Sequence, residues 1–170
     1  AAYLTARFAL TDTVSDPLLV LRQAENLLSQ SDCLWSRQCV TSYIHRVHSS
    51  IKIKADNWSV AEDFLHKSLA AMPTNATSVY LLGMAALQRS NLISAAHYLC
   101  RCLLLDPDFK ASYINYGAIL LRQKRYAETI RVAEVHLVRY PGTTESVYHL
   151  GIACYQQAVR LQMHFRMNGP

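Results

Sequence analysis

The chain predicts an all-α fold in which one helical hairpin is used several times. Composition is the first ground: at 51% hydrophobic and 17% charged over 170 residues, the chain is that of a folded protein rather than a disordered one. The second is the scarcity of turn formers. Only five Gly and five Pro are present, and no Val/Ile/Thr run is bounded by turn clusters as a strand would be. The third is periodicity. Gly83, Gly117 and Gly151 lie 34 residues apart, and so do Pro73, Pro107 and Pro141.

More residue types recur on that interval: Val79, Tyr113 and Val147; Leu82, Tyr116 and Leu150; Trp58, Leu92 and Tyr126; Leu65, Leu99 and Ala133; Leu69, Leu103 and Leu137. Ala61 and Ala95 share a place with Thr129. Repetition at such a period marks a stack of supersecondary units.

The elements follow in order. Asp16-Pro17 is a helix start signal, with Leu18, Leu21, Ala24 and Leu28 along one face, and Ser31-Asp32 opens another helix carrying Leu34, Tyr43, Ile44 and Val47. Residues 1–41 are therefore N-terminal helices or a degenerate repeat. In 42–75 the second helix, "WSVAEDFLHKSLAAMP", is clear. The first has Ser49 in the Gly place and Lys52 where a large apolar residue is expected, which predicts a distorted helix or a register shift near "SSIKIKADN". Full repeats occupy 76–109 and 110–143, and 144–170 is a partial repeat or capping helix running to about Met167. No linker divides the chain, so 1–170 reads as a single domain.

Each recurring residue has a physical task. A small Gly lets the first helix of a unit come close to its partner at a modest helix penalty, and Ala61 and Ala95 do the same on the second helix. Pro73, Pro107 and Pro141 stop the second helices, since Pro lacks an N–H and restricts the residue before it. Asp106 is placed to cap the helix after Pro107.

A 34-residue period with a bulky residue, Leu-Gly, a later Ala and a closing Pro resembles the tetratricopeptide repeat, over about 42–157 with Ala76 as position 1. The resemblance implies a right-handed superhelical solenoid of helical hairpins, with extra N-terminal helices and a C-terminal capping helix. It also implies a non-catalytic protein–protein interaction module, a scaffold or assembly subunit of a larger complex. In such solenoids the first helices line a concave groove through positions 2, 5, 9 and 12. Here these are Thr77, Tyr80, Met84 and Leu87; Ala111, Ile114, Ala118 and Leu121; Glu145, Tyr148, Ile152 and Tyr155. Asn115, Arg122 and Gln156 are placed to add hydrogen bonds. Relatives that clamp the acidic tails of heat-shock chaperones use Lys, Asn and Arg at these places. Of that set only Asn115 is matched, so the carboxylate clamp is absent, and an apolar peptide or amphipathic helix is the expected ligand.

Little else suggests chemistry. His45 and His48 are three apart on a helix, without a third metal ligand at suitable spacing. Cys100 and Cys102 are two apart and diverge. His97, His136 and His149 have no carboxylate or nucleophile at a suggestive spacing, and His136 stands where a small residue is usual. No phosphate loop, acid pair or nucleophile elbow is present, so neither catalysis nor a cofactor is expected. The net charge of +5 is mild, and Lys52, Lys54, Arg122, Lys124 and Arg125 cluster in turns. They are candidate contacts for RNA or an acidic protein, which keeps an RNA-associated subunit, or an assembly or cargo chaperone, as alternative readings. Five cysteines, an odd count, favour a reducing, intracellular compartment, cytoplasmic or mitochondrial matrix. The start "AAYLTARFAL" fits a transit-peptide stub or a fragment boundary. No stretch approaches a membrane span.

Overall fold

The computed structural model describes residues 34–167, together with Leu19, Arg22, Gln23, Glu25 and Asn26, which are helical. From residue 34 the chain forms α1 (Leu34–Lys54), α2 (Trp58–Ala71), α3 (Ala76–Gln88), α4 (Leu92–Leu105), α5 (Lys110–Arg122), α6 (Tyr126–Arg139) and α7 (Thr144–Met167). Among the described residues there is no strand. The start signals at Asp16-Pro17 and Ser31-Asp32 lie outside the described residues.

The 34-residue interval governs the helix ends as well as the apolar positions. First helices end at Lys54, Gln88 and Arg122; second helices begin at Trp58, Leu92 and Tyr126 and end at Ala71, Leu105 and Arg139. The turn inside each hairpin is the same device used three times. Asp56, Ser90 and Lys124 take left-handed φ of 56°, 58° and 59°. Each donates its N–H three residues back, to Ile53, Leu87 or Leu121, and the next residue donates five back, to Lys52, Ala86 or Leu120. This is the Schellman arrangement, which satisfies carbonyls orphaned at a helix end.

The turn between hairpins repeats too. Met72 and Asp106 are extended, with φ of −142° and −139°, and Tyr140 leaves the helical region with φ of −131°, because each precedes a proline whose Cδ excludes the helical conformation. Asp106 does not cap the following helix, contrary to expectation. Its Oδ1 accepts from Asp108 N at 3.0 Å, and the N-cap of α5 is Phe109, without a side-chain bond. Two residues separate Asp106 from that N-cap, too many for its short side chain to serve the first turn.

The distortion or shift expected near Ser49 does not occur. α1 is one continuous helix whose end lies 34 residues before that of α3. Ser49 is fully buried and donates its hydroxyl to Arg46 O at 2.6 Å, so a residue nearly as small as Gly fits the same place. With no Gly or Pro between 34 and 54, the N-terminal helix and the first helix of the repeat merge.

Contacts cluster into two compact units, one ending at Ala85 and the other beginning at Ala86. A chain whose repeats touch only their neighbours divides in this way. In the first unit α1 packs on α2, with Val40, Ile44 and Val47 forming a core against which Tyr43 and Ile51 rest. In the second, α4 packs on α5, α5 on α6 and α7, and α6 on α7, around Leu99, Ile119, Leu120 and Ala153. Ala61, Ala95 and Thr129 are all completely buried, as close packing of the second helices requires.

Candidate interaction face

What holds each first helix in place is a polar contact that the periodic reading passed over. The residue at position 27 of one repeat hydrogen-bonds a serine at position 3 of the next. Ser68 Oγ lies 2.8 Å from Ser78 Oγ, Cys102 bonds Ser112 through their side chains, and His136 Nδ1 lies 2.5 Å from Ser146 Oγ. Ser78, Ser112 and Ser146 are themselves 34 apart and almost wholly buried. The signal was present in the sequence, but serine is ordinarily a surface residue and does not announce a packing position. In the first unit the contact grows into a network: Ser68 Oγ also donates to Ser42 O at 2.8 Å, and Asn75 Nδ2 donates to Ser42 Oγ at 3.0 Å.

His136, which seemed too large for its place, is accommodated by stacking. Its ring lies 4.9 Å from that of Tyr113, inclined by 14°, and 5.1 Å from that of Tyr140. Burial, and then the positive charge of Lys110, push its pKa down.

The residues expected to line a groove are nowhere in the core. On α3, Tyr80, Met84 and Leu87 are half-buried. On α5, Ile114, Ala118 and Leu121 are half-buried and Arg122 is exposed at the helix end. On α7, Ile152 is half-buried, while Tyr148 and Tyr155 are 63% and 66% exposed. Since α5 touches α7, the second unit carries Ile114 and Leu121 on one helix and Tyr148, Ile152 and Tyr155 on its neighbour. Asn115, expected to offer hydrogen bonds outward, donates its Nδ2 to Ala111 O of its own helix at 3.0 Å.

The basic turns are less open than they look in sequence. Arg125 makes a two-pronged ion pair with Glu128, at 2.7 Å from Nε to Oε1 and 2.6 Å from Nη2 to Oε2. The hydrogen bonds from Arg125 hold the Glu128 carboxyl below the usual carboxylate range. Arg125 Nη1 also donates to Gln123 Oε1 at 3.1 Å. Lys124 is exposed with left-handed backbone; Lys52 is half-buried and Lys54 exposed. His45 and His48 lie against Phe64, at ring distances of 6.1 and 5.0 Å. Cys102 is buried and Cys100 half-buried, as their divergence requires. Among the described residues no helix is long and apolar enough to cross a membrane.

The small residues that recur on the 34-residue interval do different work at different places. A β-carbon on Gly117 would stand 2.9 Å from Nδ1 of His149 on α7. This Gly therefore admits the next first helix, rather than the hairpin partner the sequence suggested. Gly151 is exposed, with nothing within 4 Å of the corresponding point.

No family model matches the chain, and no curated protein does. Solved structures do. The first TPR (tetratricopeptide repeat) domain of Spaghetti (RPAP3), bound to the HSP90 peptide SRMEEVD, is 17% identical with a TM-score of 0.65, over 71% of this chain and 95% of that one. The TPR domain of Arabidopsis OM64 is 18% identical with a TM-score of 0.63, over 69% and 98%. A crystal structure of MamA is 17% identical with a TM-score of 0.64, over 84% and 74%.

Proposed function

We propose that the chain, whose fold is that of TPR domains, is a non-catalytic protein–protein interaction module, a scaffold or assembly subunit that receives an apolar or amphipathic segment. The supporting observation is the pair Tyr148 and Tyr155, each about two-thirds exposed on α7 beside Ile152. The half-buried Ile114 and Leu121 stand on the neighbouring α5. Tyr rings offer large contact area at small entropic cost together with a polar tip. Tyr80 and Met84 hold the equivalent positions on α3, where Met supplies an adaptable apolar chain.

Two structural neighbours, TPR domains of RPAP3, hold the HSP90 peptide SRMEEVD and the HSP70 peptide SGPTIEEVD. Acidic tails of this kind call for cations. The places that the resemblance assigns to such a clamp are held here by Tyr80, Met84, Asn115, Tyr148 and Ile152, none of them charged. The ligand of this chain is therefore of another class, bound by burial of apolar area.

Calorimetric titration with SRMEEVD and SGPTIEEVD, followed by selection from a display library of amphipathic helical peptides, tests the reading. Neither acidic peptide should bind. Selected apolar peptides should lose at least about tenfold in affinity, roughly 1.4 kcal/mol, when Tyr148 and Tyr155 are changed to Ser, with the melting temperature unmoved. Saturable binding of the acidic peptides, or apolar binding indifferent to both tyrosines, would overturn it.

A further inference from the structure

Three buried contacts join a second helix to the next first helix, and they differ in their response to protons. The first is Ser68 with Ser78 and the second Cys102 with Ser112; the third is His136 with Ser146. A neighbouring place changes in the same way. His149, which lies against Gly117, has Asn115 as its equivalent one interval earlier. Both changes put an imidazole where the preceding repeat has an uncharged side chain. Both fall where α7 packs on α5 and α6.

Neither ring is placed to hold a charge. His136 is completely buried, and His149 is 8% exposed. An imidazolium carries an N–H on both nitrogens. Ser146 Oγ can accept from Nδ1 of His136, but Nε2 is buried with no hydrogen-bond partner among the described residues. A proton there creates a buried charged donor without an acceptor, which is costly. Tyr113 of α5 stacks on the ring, Tyr140 leans on it from the end of α6, and Lys110 of α5 adds a like charge. Asp108, whose carbonyl accepts from the Tyr140 hydroxyl, is paired with Arg139 at 2.6 Å. Against His149, α5 presents Gly117, and Tyr148 stands beside it on α7. Glu145 of α7 is the opposing charge for both histidines, but it is exposed, where water screens its attraction. Burial is thus the first cause that lowers both pKa values from the usual range near 6.5.

We propose that the meeting of α6 and α7 is an acid-released joint: as pH falls, α7 leaves α5 and α6 while α4 and α5 stay packed. Each neutral imidazole stabilises the docked helix fully above about pH 6.5. That contribution is lost as pH falls through the folded value, because the undocked helix takes the proton more readily. The α4–α5 contact has no such dependence, since burial keeps the Cys102 thiol neutral. In a stack held by nearest neighbours, one junction can open alone. Opening parts Tyr148, Ile152 and Tyr155 from Ile114 and Leu121, so a segment held there would be released in acid. That consequence rests on the proposed function, whereas the opening itself does not.

Hydrogen exchange of the free chain, followed by mass spectrometry from about pH 7.5 to about pH 5.5 and corrected for intrinsic exchange, tests the joint without any ligand. Between about pH 6.5 and 5.5, protection of residues 144–157 should fall at least about tenfold and at most about a hundredfold, the limit for two protons. Protection of α4 should change by less than about threefold. The double variant His136→Cys, His149→Asn writes into this junction the residues that the preceding one uses, and α7 should then stay protected across the range. If the smaller Cys leaves α7 open already at about pH 7.5, imidazole titration of the wild type by NMR decides. His136 and His149 should titrate below about 6.5, together with the loss of α7 protection. Constant protection of α7 overturns the proposal, as does simultaneous loss of α4. So does a double variant that opens over the same pH range, or histidines that titrate with α7 still docked.

Discussion

His149 lies so near Gly117 that a β-carbon on the glycine would stand 2.9 Å from its Nδ1. A contact that short forces a neighbour to move, and the imidazole is itself buried. Gly117→Ala should therefore destabilise the chain despite better helix propensity. Overpacking costs about 1–3 kcal/mol, against a helix gain of roughly 0.5–1 kcal/mol. Gly151→Ala, one 34-residue interval later and with open space, should instead stabilise by about that gain. Urea unfolding of the two variants measures the contrast; equal shifts of one sign would show that the contact with His149 is relaxed in solution.

The buried histidines make stability depend on pH in a fixed direction. Burial depresses the pKa of His136, with Lys110 adding to the effect and Glu145 opposing it. Burial likewise depresses His149 and His45. A group whose folded pKa is below its unfolded value binds the proton more readily when unfolded, so its contribution is complete above about pH 6.5 and is lost as pH falls through the folded value. The melting temperature should be level near pH 7.5 and fall on acidification through the range below 6.5. His136→Gln should lower the plateau and flatten that fall. A stability that rises on acidification would exclude histidine protonation as the controlling event.

Left-handed backbone at Ser90 and Lys124 is an avoidable cost. The conformation is strained by about 1–2 kcal/mol for a residue with a β-carbon, and glycine adopts it freely at some cost in unfolded-state entropy. Ser90→Gly and Lys124→Gly should each stabilise by about 0.5–1 kcal/mol, visible as a higher melting temperature. If both variants melt lower, the turns take another conformation in solution.

Ser68 is completely buried and its hydroxyl reaches Ser42 and Ser78. Ser68→Ala leaves those hydroxyls short of a partner, and a buried unsatisfied group costs about 1–3 kcal/mol. Chemical denaturation should show a loss of that order. A change under about 0.5 kcal/mol, the usual size for surface substitutions, would mean that water or the backbone replaces the bond.

What was legible in the sequence was what repeats through size and shape. Gly83, Gly117 and Pro107 disclosed period and class, since few other residues occur so sparsely and so regularly. The helix ends followed, because Pro fixes one turn and a short polar stretch the other. What escaped was polar and buried: Ser78, Ser112 and Ser146 keep the same interval, but a serine carries no preference strong enough to show where its hydroxyl is used. Ser49 misled for a related reason, its small volume counting for more than its difference from Gly. Residue type could not tell Gly151 from Gly117, which differ only in what lies beside them. Tyr148 and Tyr155 were placed by analogy with other solenoids; their exposure could be known only once α7 had neighbours.

The triple recurrence of one hairpin turn, with Asp56, Ser90 and Lys124 in matching backbone states, makes the chain divisible at those points. Excising residues 91–124 would splice Ser90 directly to Arg125, joining ends that already share direction and hydrogen-bond pattern. Shortening by one whole unit thus keeps matching backbone at the seam, whereas a cut that is not a whole number of units would turn every later side chain away from its seat.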